Sequence, residues 1–382
     1  MEPSPTPAFP LEHEVVGAVD RVELVTVRLP FVAPFAISTA VWTAKEALLL
    51  RLESDGVTAW GECVADPDPF YAGETTATAR HIVTDFLLPL VEAGITLGEL
   101  DRRFRHVRGN RMAKATVENA LVDLIAKRSG RPLHEVLGRP RTRIMSGISI
   151  GLQDSPAALL AAVEEAVATG YHRVKMKVQR GKDVEYVRAV RERFPEIPLM
   201  VDANGDYTLA DAEHLARLDA FGLTMIEQPL SYSDIYQHSI LQQRLATPLC
   251  LDESIHDLDD AAAAIALGAC RVLNVKQGRV GGLLESLRIV AHAAARGIPV
   301  WSGGMDETGI GRAVNIHLQT VEGFTLPGDT SETRRYFAED IVEPPVVLDA
   351  GGFIEVPHGA GFGVAVVDER VEKFTIHRER LR

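Results

Sequence analysis

Six residues combine reactive side chains with a regular spacing: Lys175, Lys177, Asp202, Glu227, Asp252 and Lys276. The first two lie in the run VKMKV, where they alternate with apolar residues, so on a strand both ammonium groups share one face. Alone, such a pair most often marks a solvated edge strand. The acids that follow change the reading. Asp202, Glu227 and Asp252 are 25 residues apart, Lys276 comes 24 later, and each closes a short apolar stretch. Neighbouring parallel strands run about 4.8 Å apart, so groups at equivalent strand ends converge. Three carboxylates in a shielded site repel one another, and a divalent cation relieves that. Oxygen donors with no Cys or His beside them favour Mg²⁺, with Mn²⁺ as a substitute. Lysines on both sides of a metal-held carboxylate suit abstraction of the α-proton, with the metal stabilising the enolate. Lys175 is placed to lower the pKa of Lys177 by like charge.

The elements that must position these groups repeat. Eight short apolar segments centre near residues 148, 176, 201, 226, 251, 275, 300 and 325, separated by amphipathic stretches. One βα unit has this length, and eight such units close into a barrel whose functional groups sit at the C-terminal strand ends. DSPAALLAAVEEAVATG carries its own helix signals, with Asp154 or Ser155 as N-cap and Gly170 as stop. Upstream, residues 19–64 read as three strands, the last two joined by an Asp-Gly turn, and residues 73–138 as helices. The expected organisation is a flexible lead (1–18), an α+β unit (19–140), a barrel (141–329) and a tail (330–382) that packs back on the α+β unit.

Formal charge is −13 without any basic block, which argues against nucleic acid or an anionic membrane as partner. Three cysteines without CxxC spacing argue against a disulfide framework or zinc site and fit a reducing cytoplasm. The acidic, Pro-rich N-terminus does not read as a signal peptide, and no apolar run is long enough to span a bilayer.

VKMKV, VDANGDY, MIEQPL, CLDESI, NVKQGRVGG and WSGGMDETGIGRA resemble the enolase superfamily, muconate-lactonizing subgroup. Within it, PFYAGE, NRMAK and TLPGDTS extend the likeness to the o-succinylbenzoate synthase / N-succinylamino acid racemase family. The resemblance implies a (β/α)7β modified TIM barrel under an α+β capping domain completed by the C-terminal segment. It implies Lys177 and Lys276 as the acid/base pair and Asp202, Glu227 and Asp252 as Mg²⁺ ligands. Ser149, Lys175, Asn204, Gly304 and Tyr71 would line the substrate site. The implied activities are a dehydration in menaquinone biosynthesis (a lyase) and racemisation of N-acylamino acids (an isomerase), in a homo-oligomer acting on a small carboxylate. The alternatives are a muconate-type cycloisomerase, an epimerase of other acylated amino acids or dipeptides, and a catalytically silent protein on the same fold.

Two positions depart from the family pattern. Ala36 stands where a cation usually follows PF, and Asp306 where an aliphatic residue is usual. Both are expected near the substrate tail, which predicts a poorer fit to a succinyl carboxylate and a preference for neutral or cationic N-acylamino acids. Blander readings cover other motifs. DANGDYTLADAE mimics an EF-hand loop, but Tyr207 occupies the position that needs Gly. GRVGG lacks phosphate-loop spacing and reads as a tight turn. His292 and His317 fall in predicted helices as structural residues, and Glu253 is left between a supporting and a structural role.

Overall fold

The computed structural model describes residues 9–37, 40–138 and 141–382. A four-stranded antiparallel sheet forms the cap. Arg21–Ala36 pairs with Val41–Ser54, which pairs with Val57–Cys63, and the C-terminal strand Thr375–Arg380 adds to the free edge of the first. Asp55 and Gly56, both at positive φ, make the tight hairpin turn between the second and third strands. Against this sheet packs the helix Arg111–Arg128, buried on nearly every side. Gly61 lets it approach, because a Cβ there would lie 2.1 Å from the Thr116 carbonyl oxygen.

Seven parallel strands form the barrel sheet: Gly147–Ile150, Arg173–Lys177, Leu199–Asp202, Ile226–Glu227, Leu249–Leu251, Val272–Val275 and Val300–Ser302. The eighth expected strand is not regular. Residues 324–329 close the ring through single bridges, Val300 to Phe324 and Ser146 to Gly328. Pro327 has no N–H to give, which breaks a continuous ladder. Met200, Met225, Cys250, Val272 and Trp301 fill the barrel interior beneath the rim. The first connecting helix runs Pro156–Thr169. Ser155, not Asp154, caps it by accepting the Ala158 N–H, and Gly170 ends it at φ +95°.

Residues 9–18 are not a free lead. Leu11 and Val16 are buried, the Val16 N–H reaches the Ile95 carbonyl, and Val15 bridges Thr96. Residues 1–8 and 139–140, which include the expected domain boundary, lie outside the described residues. Cap and barrel share one apolar core, into which the later strands and helices of the barrel run. The earlier barrel units form a second cluster of their own.

Candidate active site

Lys177, Asp202 and Glu227 lie on one rung, since Lys177 pairs in register with Asp202 and Asp202 with Glu227. Asp252 lies beyond that rung. Glu227 is level with Cys250, and Asp252 follows the end of its strand. Two residues before Lys177 on the same face, Lys175 enters the barrel interior, in register with Met200. Its Nζ lies 3.0 Å from Glu227 Oε2, 3.3 Å from Asp202 Oδ2 and 2.7 Å from Asp329 Oδ2, and 4.9 Å from the Trp301 ring centroid. An ammonium group has three protons to donate, and three carboxylates surround this one. Lys177 Nζ donates to Asp202 Oδ2 at 2.6 Å and to Asn204 Oδ1 at 2.8 Å. Lys276 Nζ meets Asp252 Oδ2 at 2.8 Å and the Tyr71 hydroxyl at 2.9 Å.

Charge balance fixes the protonation of the buried groups. Burial alone would raise the Asp202 pKa, but the Lys177 and Lys175 ammoniums hold it below the usual carboxylate range. Glu227 is pushed up by burial and by Asp202, against the pull of Lys175. For Lys175, burial would lower the pKa, yet Asp329, Glu227 and Asp202 raise it. Lys276 is likewise raised, because Tyr71, Glu253 and Glu227 outweigh burial. Lys175 is thus a fixed cation committed to carboxylates. At Lys175 and Lys276 the acids dominate over like-charge repulsion.

Supporting contacts lock the rim. Asn274 Nδ2 donates to Glu227 Oε1 at 2.7 Å, and Asn204 Nδ2 to Glu253 Oε1 at 2.9 Å. Gln228 Oε1 receives the Asp252 and Ser254 N–H groups. Of the five non-glycine residues with positive φ among the described residues, Asn204 (44°), Gln228 (36°) and Asp306 (54°) stand at this end of the barrel. Strain of this kind costs about 1–3 kcal/mol per residue and persists where surroundings impose it. Gly304 cannot carry a side chain, since a Cβ would lie 2.9 Å from the Asp329 carbonyl oxygen.

Asp202, Glu227 and Asp252 make an all-oxygen donor set. Both Asp252 carboxylate oxygens and Glu253 Oε2 are buried without a hydrogen bond, although Asp252 is ion-paired to Lys276 and Arg279. Such unsatisfied buried acceptors fit a hard divalent cation. Among the described residues no three acidic, His or Cys side chains are gathered around one point as they stand. The lysine ammoniums neutralise the acids instead.

Above the rim lies a cleft roofed by the cap. Lys175, Lys177, Lys276, Ser149, Asn204, Gly304, Asp306 and Tyr71 all line it. Ala36 does not. Its carbonyl accepts the Leu152 N–H, while Phe35 and Ile37 on either side of it face the cleft, as strand alternation requires. Sequence reasoning missed Asp329, although it ends the eighth segment in the same way that Asp202 ends the third. It also missed Lys45, Asp66 and Tyr336, which no spacing connects to the rim.

The remaining motifs are structural. Asp206 accepts the Arg180 N–H, and residues 277–280 make one helical turn rather than a phosphate cradle. His317 is buried, with Nε2 against the Phe362 carbonyl.

A parallel barrel with acids and lysines at its strand ends under an α+β cap defines a class, and comparison identifies it. Residues 158–371 match the family described as enolase C-terminal domain-like, and residues 20–138 the mandelate racemase / muconate lactonizing enzyme N-terminal domain. The chain belongs to the enolase superfamily. Within it, the chain belongs to the family of o-succinylbenzoate synthases and N-succinylamino acid racemases, whose members are enzymes. It is 48% identical to an o-succinylbenzoate synthase of Geobacillus stearothermophilus, covering 94% of this chain and 96% of that one. It is 45% identical to an N-succinylamino acid racemase of an Amycolatopsis species, covering 93% and 96%. A solved enolase-superfamily structure from Listeria innocua superposes with a TM-score of 0.91 at 39% identity, covering 95% of this chain and 99% of that one.

Proposed function

We propose that this enzyme removes the proton α to a substrate carboxylate with Mg²⁺ bound at Asp202, Glu227 and Asp252. The activities that follow are o-succinylbenzoate synthesis by dehydration and racemisation of N-acylamino acids. The observation that carries the reading is the pair Lys177 and Lys276, which both line the cleft and are each anchored to a different carboxylate of the donor set. The metal, when bound, would polarise the substrate carboxylate and take up charge that the carboxylates now share with the lysines.

The protein's own groups do the rest. Lys177, held by Asp202 and Asn204, takes the proton from one face of the α-carbon. Lys276, held by Tyr71 and Asp252, acts from the other. As a cation it stabilises developing negative charge during dehydration, and as an acid it returns a proton during racemisation. Lys175 holds Glu227, Asp202 and Asp329 in place through its ammonium group. A small-molecule substrate in a homo-oligomer of the cytoplasm belongs to the same reading.

The test is deuterium exchange at the α-carbon of N-succinyl- and N-acetylamino acids in D₂O, with and without Mg²⁺, alongside formation of o-succinylbenzoate. Exchange that needs Mg²⁺ and that Lys177→Ala abolishes for one enantiomer supports the reading. A catalytically silent protein would show no exchange with any of these compounds.

A further inference from the structure

The cap side of the cleft is a mixed wall. Phe31, Phe35, Ile37 and Trp42 supply an apolar lining, and Asp66, Asp306 and Asn315 supply acceptors. Lys45, only 3% exposed, spans them from the cap. Its Nζ donates to the Val64 carbonyl at 3.0 Å and to Asp66 Oδ1 at 3.2 Å. Asp306 and Glu62 attract the same ammonium group, so three carboxylates act on one lysine. Burial and the nearby Glu307 and Asp66 raise the Asp306 pKa against the attraction of Lys45 and a hydrogen bond from the Tyr336 hydroxyl. The other cation on this side, Arg312, is turned away from the acids: its guanidinium donates to the Glu307 and Ser331 carbonyls and lies over the Tyr336 ring. Asn315 gives an independent sign. It is 2% exposed, its Nδ2 donates to Glu307, and its Oδ1 has no partner. Ser149 Oγ, across the cleft, is also buried and unpartnered.

Acceptors thus outnumber the donors that serve them on a wall whose rest is apolar. Leaving such acceptors unsatisfied when a substrate seals the cleft is costly, and a substrate that brings a donor removes the cost. We propose that the substrate arm reaching this wall is an apolar stem ending in a positively charged hydrogen-bond donor, as in an N-acylated basic amino acid or an amino acid with an amine-bearing acyl group. Asp306 is the residue that selects it. This inference rests on the N-acylamino acid reading above. It also replaces the sequence argument from Ala36 and Asp306, since Ala36 lies outside the cleft and Lys45 supplies a cation there.

The experiment compares α-proton exchange by the Mg²⁺-loaded enzyme on four compounds: N-acetyllysine, N-acetylnorleucine, N-(4-aminobutanoyl)norleucine and N-succinylnorleucine. At least one cationic compound should exceed its neutral or anionic counterpart tenfold or more in kcat/KM. Preference for N-acetyllysine places the cation on the side chain, and preference for the aminobutanoyl compound places it on the acyl group. Asp306→Leu should cut the preference at least fivefold. Asp306→Asn, nearly isosteric and checked by thermal melting, should shift it in the same direction. A best rate on the succinyl or acetylnorleucine compound, or a preference that neither variant moves, overturns this inference and leaves the proposed activity standing. No exchange with any of the four overturns both.

Discussion

The floor of the cleft draws its groups from the ends of consecutive parallel strands, whereas its wall draws Lys45, Asp66, Asp306 and Tyr336 from separate segments of cap, barrel and tail. On the floor nearly every charge is neutralised by another floor residue: Lys175 by three acids, Lys177 by Asp202, Lys276 by Asp252. On the wall, three carboxylates share one ammonium, and Asn315 keeps an unused acceptor. In the proposed reaction the densely paired floor serves the chemistry at the α-carbon, which is common to many substrates, and the wall with spare acceptors is the proposed place where substrates are told apart. The same contrast separates chemistry from specificity in energetic terms. Removing a proton-transfer group costs orders of magnitude in rate, whereas altering a recognition contact changes a ratio between substrates.

The largest expected effect lies on the floor. Lys177→Ala and Lys276→Ala should each lower α-proton exchange of the enantiomer that lysine serves by about 10²–10⁴-fold, the range expected for a general acid or base. Stopped-time deuterium incorporation measures it. A loss below tenfold in both would place the chemistry elsewhere.

Next comes stability, measured by denaturant unfolding of two buried-lysine variants. Lys175→Met leaves Glu227 buried without its main counter-charge, while Asp329 keeps Arg173; leaving such a buried charge unpaired typically costs about 3–5 kcal/mol. Lys45→Met should cost less, because its ion-pair partner Asp66 lies nearer the solvent than Glu227 and can be hydrated. Equal losses would erase the distinction between a neutralised floor and an acceptor-rich wall.

The seam between the two offers a pH test. Glu62, on a cap strand, caps the barrel helix Gly309–Leu318 by accepting from the Thr308 N–H and hydroxyl and the Gly311 N–H. Burial pushes its pKa up to about 7, against these hydrogen bonds. A carboxyl whose folded pKa exceeds its unfolded value holds an extra proton in the folded state, so its stabilising contribution is full below about pH 4.5 and lost as pH rises through 7. Relative to Glu62→Gln, the natural protein should therefore lose up to about 3 kcal/mol between those limits, at 1.36 kcal/mol per pKa unit. Parallel stability–pH curves for the two proteins would contradict this.

The smallest effect is expected at Ala36. Because Phe35 and Ile37, not Ala36, face the cleft, Ala36→Ser should change kcat/KM less than twofold on every substrate tested. A selective change on one substrate would return this position to the wall.

Periodicity explains what could be seen from sequence. Acids 25 residues apart reveal the floor because each βα unit repeats a length, and barrel closure then brings the ends together. The chain order of the barrel strands followed from the same repeat. The wall has no repeat. Lys45 looks like any strand lysine until the cap is docked, and Asp306 is visible only as a departure from a family pattern. At Ala36 the miss was one residue of strand register, which turns a side chain from one face to the other. At Lys175 the position was legible and its commitment was not, since Asp329 lies 154 residues away and reaches it only through closure of the barrel by an irregular segment.

The central claim is that two lysines anchored to one set of acids exchange the α-proton from opposite faces. Its most direct test follows deuterium incorporation from D₂O into each enantiomer of one N-acylamino acid, using Mg²⁺-loaded natural enzyme and the two single lysine variants. The natural enzyme should label both enantiomers, Lys177→Ala should fail to label one, and Lys276→Ala should fail to label the other. Both enantiomers still labelled in either variant, at rates near those of the natural enzyme, would contradict it.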